Sequence, residues 1–396
     1  MVFLVETPQG QFGSQALPPQ QLAFVHVSQT GGHPWIQNGS QTNRPPPYGV
    51  ALRHRPVPSA RFDLTDGPAE EERTRTASIW HSGPVSSLAN DHNWRDDIAA
   101  AAQRIEGFVR RTPTLALEAD VVLKLEQTQH TGSFKPRGAF NFVLSQPTLP
   151  AAGIIAASGG NHGQAVAYVA RSLGLAAEVF VPEVCPAAKR ARIAALGARV
   201  VVGGAIYDDA QAACHRRAAE TGALVVLPFD DAAIIAGAGT VARELQLDWS
   251  NLDTVLVAAG GGGLMSGALA WYQGKVAVVA VEPERSRALW AALDAGAPVD
   301  VEVGGVAADS LGARRIGALP FALAQRFLAS SVTVSDADIM AAQRHLWDQA
   351  RIVTEPGGAT AYAALLGGAY QSVRGERVGV IVCGANVELS AGSWSS

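Results

Sequence analysis

The stretch that most constrains this chain is TGSFKPRGAF, residues 131–140, which sets one lysine at the head of a predicted helix. The chain has only four lysines among its 31 basic Lys and Arg residues, so arginine supplies nearly all the positive charge. An amine can form a Schiff base with an aldehyde cofactor, which a guanidinium cannot do. Lys135 is therefore a candidate for covalent chemistry, although a lysine that caps a helix would explain the residue taken alone.

Outward from this motif, short apolar runs rich in β-branched residues alternate with alanine-rich helical segments. The runs lie at residues 154–155, 179–181, 200–202, 224–226, 255–257, 276–281 and 378–382. Uninterrupted hydrophobic strands separated by helices predict parallel sheets that are buried on both faces. The predicted fold class is therefore α/β, with two domains of open parallel sheets flanked by helices. Such proteins place ligands in a cleft beyond the C-terminal ends of the strands.

Composition divides the chain into three parts. Residues 1–93 are rich in Gln, Pro, Ser and Gly, so we expect them to be disordered or loosely attached. An equally weighted alternative is that this extension is not part of the natural protein. Residues 94–150 and 231–396 are predicted to form a large domain, and residues 151–230 a small one.

The first predicted helix begins near Trp94. Ile98, Ile105 and Val109 recur at helical spacing and would share one face. The helix is expected to end at Thr112, because the residue before a proline avoids helical conformation.

Charge and cysteine content exclude several classes of protein. The formal net charge is −4, which gives no basic field for nucleic acid. No apolar run approaches the ~20 residues that a membrane helix needs. The three cysteines are widely separated and odd in number, so a reducing, cytoplasmic location is favoured over a disulfide framework.

A second motif, SGGNHGQ at residues 158–164, follows a predicted strand and opens a helix. The exposed amide N–H groups at such a point suit an anion such as a carboxylate. Asn161 can donate a hydrogen bond to a ring oxygen. The alternative is an ordinary helix start, with Ser158 or Asn161 as the cap.

A third motif, GGGGL at residues 260–264, also lies between a strand and a helix. Consecutive glycines let backbone N–H groups converge on a phosphate. No Gly-Lys-Ser/Thr follows, so it is not a P-loop, and its spacing is not that of a dinucleotide-binding loop. Glu282 does stand about where the ribose-binding acid of such a fold would lie. The alternative is a flexible turn.

The fourth motif is CGAN at residues 383–386, directly after the last predicted strand. A buried thiol is usually a small apolar residue. At the C-terminal edge of a parallel strand, however, Cys383 is a candidate neighbour for a ring nitrogen.

Together the four motifs resemble the fold-type II pyridoxal-phosphate enzymes, whose fold is that of the tryptophan synthase β chain. Within them, the serine/threonine dehydratase and serine racemase family is most similar, over residues 94–386. Three further stretches contribute to the resemblance. They are KLE at 124–126, PFDD at 228–231 with AGAGT at 236–240, and EPGGA at 355–359.

The resemblance implies pyridoxal 5′-phosphate as cofactor and a role for each matching residue. Lys135 holds the cofactor as a Schiff base and acts as general base, with Phe134 beside the ring. Asn161 hydrogen-bonds the ring hydroxyl, and Cys383 faces the ring nitrogen. The phosphate is bound by Gly260, Gly261, Gly262, Gly263 and Leu264.

The substrate carboxylate is expected at Ser158, Gly160 and His162. The implied activity is a lyase reaction, β-elimination from L-threonine, L-serine or both to a 2-oxo acid and ammonia. Alternatives are 3-hydroxyaspartate ammonia-lyase, a serine racemase-type enzyme and, less favoured, a β-replacement synthase. The implied partner besides the small-molecule amino acid is a second copy of the chain, in a homodimer, with no nucleic acid and no membrane.

Three positions depart from the family pattern. Gly159 stands where racemases have a serine, so racemisation is expected to be weak or absent. Ala288 replaces the second acid of the family's cation site after Glu282, so no metal is predicted, since hard cations prefer several oxygen ligands. Ser310 stands where the family pattern has glycine, which puts the local contact with the cofactor in question.

Other readings account for fewer of the motifs. A β-replacement synthase would be expected to have threonine in place of His162. A binding protein that keeps the cofactor without turnover is opposed by intact Lys135 and Asn161. A nucleotide-dependent dehydrogenase leaves the lysine motif unexplained. For Glu355, a helix-start role favoured by the helix dipole and a position near the cofactor are equally weighted.

Overall fold

The computed structural model describes residues 92–388, so the prediction for residues 1–93 falls almost wholly outside the described part. Ten strands lie within it. They are β1 (Thr114–Glu118), β2 (Val121–Leu125), β3 (Ile154–Ala157), β4 (Ala177–Val181), β5 (Arg199–Val202), β6 (Leu224–Val225), β7 (Thr254–Ala258), β8 (Ala277–Pro283), β9 (Ser330–Val334) and β10 (Val378–Val382).

The described residues also form twelve α-helices, besides two short 3₁₀ turns. They are α1 (Trp94–Arg104), α2 (Lys135–Leu144), α3 (Asn161–Leu173), α4 (Ala187–Ala195), α5 (Tyr207–Thr221), α6 (Ala232–Asp248), α7 (Gly263–Tyr272), α8 (Ala288–Ala295), α9 (Ala308–Leu311), α10 (Ala318–Phe327), α11 (Asp336–Ala350) and α12 (Pro356–Leu366). Every apolar run predicted to be a strand overlaps a strand of the structure, which confirms the α/β class.

The larger sheet has six strands in the order β1-β2-β10-β7-β8-β9. All its neighbours are parallel except β1, which pairs antiparallel with β2. The prediction of purely parallel sheets is wrong at this edge. Only residues 119–120 join β1 to β2, and so short a loop can connect only antiparallel strands.

The smaller sheet has four parallel strands in the order β5-β4-β3-β6. Its two faces are covered by α3 and α5, which pack against β3 and β4. Phe140 and Val143 of α2 belong to the same apolar cluster as Ile154 and Val179 of this sheet. The helix that begins at Lys135 thus packs against the smaller sheet's core, and the domain boundary at residue 150 stays a prediction.

Helix α1 ends earlier than predicted. Its last helical residue is Arg104, eight residues before Thr112. Gly107 then takes a left-handed conformation with φ of 82°, which favours glycine and turns the chain away from the helix. Ile98 and Ile105 are both buried, as the periodicity predicted, but Ile105 follows the helix.

A buried ionic network ties α2 to its neighbours. Arg137 is fully buried and pairs with Glu126 at 2.8 Å and with Glu244 at 2.7 Å. Lys124, equally buried, pairs with Glu244 at 2.6 Å and donates to the carbonyl of Thr112. Two cations thus face two carboxylates, and the charges balance in a region that excludes water. This network fixes α2 two residues beyond Lys135.

None of the helices within residues 92–388 has the length and apolar character that crossing a bilayer requires. All three cysteines of the chain lie in this part, and their thiols are free and buried.

Candidate active site

The predicted motifs meet beyond the C-terminal ends of parallel strands. The motif at residues 158–164 follows β3, the glycine motif at 260–264 follows β7, and the motif at 383–386 follows β10. Lys135 begins α2, and a β-bridge between Ser133 and Gly384 joins its motif to the end of β10. The topology therefore brings together segments from the C-terminal ends of both sheets, and residues 131 and 386, which are hydrogen-bonded there, are 255 positions apart in the chain.

Lys135 is half-buried, and its side chain lines a small cavity of the site. Its Nζ donates to the carbonyl oxygen of Pro228 at 2.8 Å and lies 5.0 Å from the ring centroid of Phe134. No carboxylate of residues 92–388 pairs with it. Burial lowers the pKa of this amine to about 8, because desolvation disfavours its charged form. A helix-capping lysine would be exposed, so the structure does not support that alternative.

A small cavity brings several predicted residues together. Phe134, Lys135, His162 and Gly263 all line it. The Nε2 atom of His162 hydrogen-bonds the carbonyl of Val226 at 2.8 Å. Burial, and then the nearby charge of Lys135, lowers the pKa of His162 to about 3, so the ring is neutral and Nε2 is the donor.

The loop before α3 does not use its polar side chains as helix caps. The cap position is Gly160, and no side chain caps α3. Ser158 Oγ instead accepts from the N–H of Gly160 at 3.2 Å. The first N–H groups of α3 have no partner within the helix, as at any helix start. The arrangement suits a carboxylate placed at residues 158–162.

Asn161 is held by two residues from distant parts of the chain. Its Nδ2 donates to Oε1 of Glu355 at 2.6 Å, and its Oδ1 accepts from Nδ2 of Asn386 at 2.5 Å. The backbone N–H of Asn386 donates to the other carboxylate oxygen of Glu355. An amide nitrogen carries two N–H groups, so Asn161 keeps a second donor for a ligand.

This contact bears on the two interpretations of Glu355, which stands at the N-cap position of α12. Its side chain does not cap α12, the helix that follows it. It is buried, and desolvation raises its pKa while the hydrogen bond from Asn161 opposes the rise. Glu355 therefore positions Asn161 at the site.

The glycine motif forms a tight turn from β7 into α7. Gly262 has φ of 95°, a conformation that L side chains rarely adopt. A Cβ at Gly261 would overlap the ring of Phe229. Leu264 is buried in the first turn of α7. The backbone of residues 260–263 is thus free of side chains at a helix start, which is the geometry of an anion cradle.

Cys383 closes the site at the end of β10. Its Sγ donates to the carbonyl oxygen of Gly357 at 3.3 Å, and its own carbonyl accepts from the N–H of Phe134. Burial raises the pKa of the thiol well above its usual range, and the negative charge of Glu355 acts in the same direction. The thiol is therefore neutral.

The three positions that depart from the family pattern have different surroundings in the structure. A Cβ at Gly159 would stand 2.5 Å from Sγ of Cys185. The carboxylate of Glu282 accepts from the N–H groups of Leu289 and Trp290, both at 2.8 Å, so both oxygens anchor α8. Desolvation raises the pKa of Glu282 to about 7. Ser310 lies against Gly357, where an added Cβ would overlap its Oγ.

These features define an enzyme built around a buried, weakly basic lysine, a cradle for an anionic group and a neutral thiol. A family model described as "Pyridoxal-phosphate dependent enzyme" matches residues 105–384. The chain belongs to this family.

Named relatives agree with that assignment. The L-threonine ammonia-lyase of Thermotoga maritima is 35% identical over 308 residues, covering 74% of this chain and 76% of the relative. The L-threo-3-hydroxyaspartate ammonia-lyase of a Pseudomonas species is 36% identical, covering 74% and 95%. The solved structure of maize serine racemase superposes with a TM-score of 0.70 at 28% identity, covering 74% and 94%.

The described residues fit the family's cofactor, pyridoxal phosphate. Lys135 offers a buried amine for its aldehyde, and the glycine cradle offers N–H groups for its phosphate. The Oγ of Ser133 is buried without a hydrogen-bond partner among the described residues, at the bridge between the lysine motif and the end of β10. Such an orphaned donor is typical of a site that receives a polar ligand.

Several residues of the site carried no sequence signal of their own. Pro228 contacts Lys135, and Phe229 contacts Gly261. The sequence marked both residues only as part of a stretch that resembles the family. Asn386 belonged to a predicted motif without an assigned role, and its pairing with Asn161 depends on the fold. Charged residues beside the loop, Lys189 and Asp309, were not predicted.

Proposed function

We propose that this chain is an ammonia-lyase that converts L-threonine, L-serine or both to a 2-oxo acid and ammonia by β-elimination. The observation that carries the proposal is the buried amine of Lys135, whose pKa of about 8 suits a base near neutral pH. Named ammonia-lyases at 35% and 36% identity support the reaction type.

When bound, pyridoxal phosphate would supply an electron sink for the substrate's α-carbon. Lys135 is the base placed to take the α-proton, since its amine lines a small cavity and hydrogen-bonds the carbonyl oxygen of Pro228 without a paired carboxylate among the described residues. The N–H groups of residues 158–162 hold the substrate carboxylate. Asn161, fixed by Glu355, orients the ring, and the glycine cradle anchors the phosphate.

The neutral thiol of Cys383 supports elimination over racemisation. A thiol whose pKa is raised by burial is a poor proton donor to a ring nitrogen, so the ring withdraws electrons less strongly than beside a carboxylate. Loss of the β-hydroxyl would then be favoured over return of the α-proton. Gly159 offers no proton on the opposite face of the substrate, which also disfavours racemisation.

The direct test is release of ammonia and 2-oxo acid across a panel of β-hydroxy amino acids. The panel includes both enantiomers of serine and threonine and the isomers of 3-hydroxyaspartate. We expect turnover of L-threonine or L-serine, and none by a Lys135→Ala variant. Turnover of 3-hydroxyaspartate alone would assign the alternative lyase activity, whereas isomerisation without ammonia would contradict the proposal.

We also propose that the enzyme is a cytoplasmic homodimer. Three free, buried thiols support a reducing compartment. The dimer rests on the resemblance to the dehydratase family. Light scattering coupled to gel filtration tests it, and a mass near the 41.2 kDa of one chain would contradict it.

A further inference from the structure

A short segment of the six-stranded half reaches across to the helices of the four-stranded half. Residues 308–314, here called the clasp, lie between β8 and β9 and begin with α9. Asp309 pairs with Lys189 of α4 at 2.7 Å, and Arg314 pairs with Asp208 of α5 at 3.3 Å. Both partner helices pack on the smaller sheet. The two ion pairs have opposite polarity, so both are satisfied only in one placement of the clasp.

The clasp also touches the segments that form the candidate site. The carbonyl oxygen of Asp309 lies 3.5 Å from the position that a Cβ of Gly160 would take. The backbone of Leu311 lies 3.0 Å from the corresponding position at Gly260. The clasp is therefore in contact with the predicted carboxylate loop and with the glycine cradle.

We propose that Lys189 and Asp309 form a positioning pair that, together with Arg314 and Asp208, holds the carboxylate loop against the clasp and keeps the substrate site closed. The pair acts through the backbone at Gly160 and touches none of the reacting atoms. The identity of the loop as a substrate site rests on the proposed function. The closure itself can be measured without any substrate.

The expected size of the effect follows from exposure. The side chain of Asp309 is 81% exposed and that of Lys189 is 21% exposed, so solvent screens their attraction. Removing one such pair is expected to shift an opening equilibrium by about threefold, and removing both by about tenfold. Because the pairs are screened, higher salt should have the same effect as removing them.

Cys185 provides a reporter at the junction of the two halves. Its Sγ packs against Gly159 of the loop, and its thiol is buried. Its pKa is raised by burial, lowered by Lys189 and raised by Asp309, which places it beside both members of the pair. Opening of the clasp should increase the rate at which a small alkylating reagent labels Cys185.

The decisive variant is Lys189→Met. Loss of this cation raises the thiol pKa of Cys185 and by itself would slow alkylation, so faster labelling can come only from opening. We expect Lys189→Met to speed labelling of Cys185 about threefold, and Lys189→Met with Asp208→Asn about tenfold. Cys214, on the buried face of α5 and in another apolar cluster, serves as the internal reference.

The matched control is Asp300→Asn. Asp300 pairs with Arg315 at 2.6 Å, next to the clasp, but both residues lie between β8 and β9 and the pair does not cross between the halves. Cys185 of the Asp300→Asn variant should be labelled at the same rate as Cys185 of the unmodified chain. Raising NaCl from about 0.05 to about 0.5 M should speed labelling of the unmodified chain and leave Lys189→Met with Asp208→Asn unchanged, since that double variant has neither pair.

Steady-state kinetics provide a second measurement of closure. Lys189→Met should raise KM for the amino acid about threefold with little change in kcat, since closure precedes chemistry. The charge-reversed double variant, Lys189→Glu with Asp309→Lys, should restore both KM and the labelling rate.

An unchanged labelling rate of Cys185 in Lys189→Met, or an equal change of that rate in Asp300→Asn, overturns the clasp. Absence of ammonia release with faster labelling of Cys185 would instead contradict the proposed function and leave the clasp standing.

Discussion

The Nδ2 atom of Asn161 donates to Oε1 of Glu355 across 194 residues of sequence, at 2.6 Å. A buried carboxylate thus fixes the orientation of the amide predicted to bind the cofactor ring. Without Glu355, the amide of Asn161 could flip or rotate, and its free N–H would lose its direction. The contact makes Glu355 part of the candidate site.

The first prediction follows from this contact. Glu355→Gln keeps the shape of the side chain but removes a charge-assisted hydrogen bond, which typically contributes ~1.5–3 kcal/mol. We expect the Kd for pyridoxal phosphate to rise about tenfold or more. Glu376→Gln is the matched control, since Glu376 is also hydrogen-bonded but joins Thr254 and Tyr370 instead of the site. Equal Kd values for Glu355→Gln and the unmodified chain would contradict a positioning role.

The second prediction concerns pH. The pKa of Lys135 is lowered to about 8, so the amine is mostly protonated below that pH and mostly neutral above it. Only the neutral amine attacks an aldehyde. The rate of covalent cofactor attachment should therefore rise with pH up to about 8 and then level off. Stopped-flow absorbance after mixing cofactor with cofactor-free protein measures it. A rate that keeps rising to pH 10 would show an unshifted lysine.

The third prediction concerns Gly159, the position at which racemases of the family have a serine. A Cβ there would stand 2.5 Å from Sγ of Cys185, so Gly159→Ser forces a rearrangement in a packed site. Overpacking of this kind typically costs ~1–3 kcal/mol of unfolding free energy. With Cys185→Ala the same atom is left with ordinary contacts, 3.6 Å to the Cβ of residue 185 and 3.7 Å to Cγ1 of Val181. The double variant should therefore recover most of the lost stability.

Urea unfolding of the four variants in this cycle measures the coupling between residues 159 and 185. We expect a favourable coupling of about 1 kcal/mol or more, and additive effects would contradict the overlap. The same double variant is also the fair test of racemisation, because only there does the added serine fit. Racemisation should be weak in the unmodified chain, and robust racemisation there would contradict the expectation drawn from Gly159.

The fold was predictable where the sequence pattern is local. Strands β3 to β5, β7, β8 and β10 are short apolar runs, and each was found where its run predicted it. Strand β1 was not predicted because it lies at an edge and is partly exposed, so it lacks a continuous apolar run. The early end of α1 was missed because one left-handed glycine, Gly107, outweighs the apolar spacing that continues past it.

The site was predictable only as separate motifs. Glycines after strands and a lysine before a helix carry their chemistry locally, so Lys135 and residues 260–263 could be named. The pairing of Asn161 with Asn386 joins side chains 225 residues apart, and no spacing in the chain encodes it. The ion pair of Lys189 with Asp309 is equally non-local. Such contacts depend on how the two sheets are placed, which periodicity does not specify.

The last prediction concerns the buried network behind the lysine. Arg137→Met leaves the carboxylate of Glu126 buried without its cation, and breaking a buried pair typically costs ~3–5 kcal/mol. We expect a loss of that size in urea unfolding of the cofactor-free protein. Asp336→Asn, at an exposed pair with Arg285, should cost less than about 1 kcal/mol.

A double variant separates charge from packing in the same network. Glu126→Gln removes the stranded charge, so adding it to Arg137→Met should restore more than about 1 kcal/mol. If the double variant is no more stable than Arg137→Met alone, the loss comes from packing of the long arginine stem. Because Arg137 lies two residues after Lys135, in the first turn of α2, the single variant should also weaken cofactor binding, and the double variant should recover it in parallel with stability. Recovery of stability without recovery of cofactor binding would show that the network stabilises the fold without positioning Lys135.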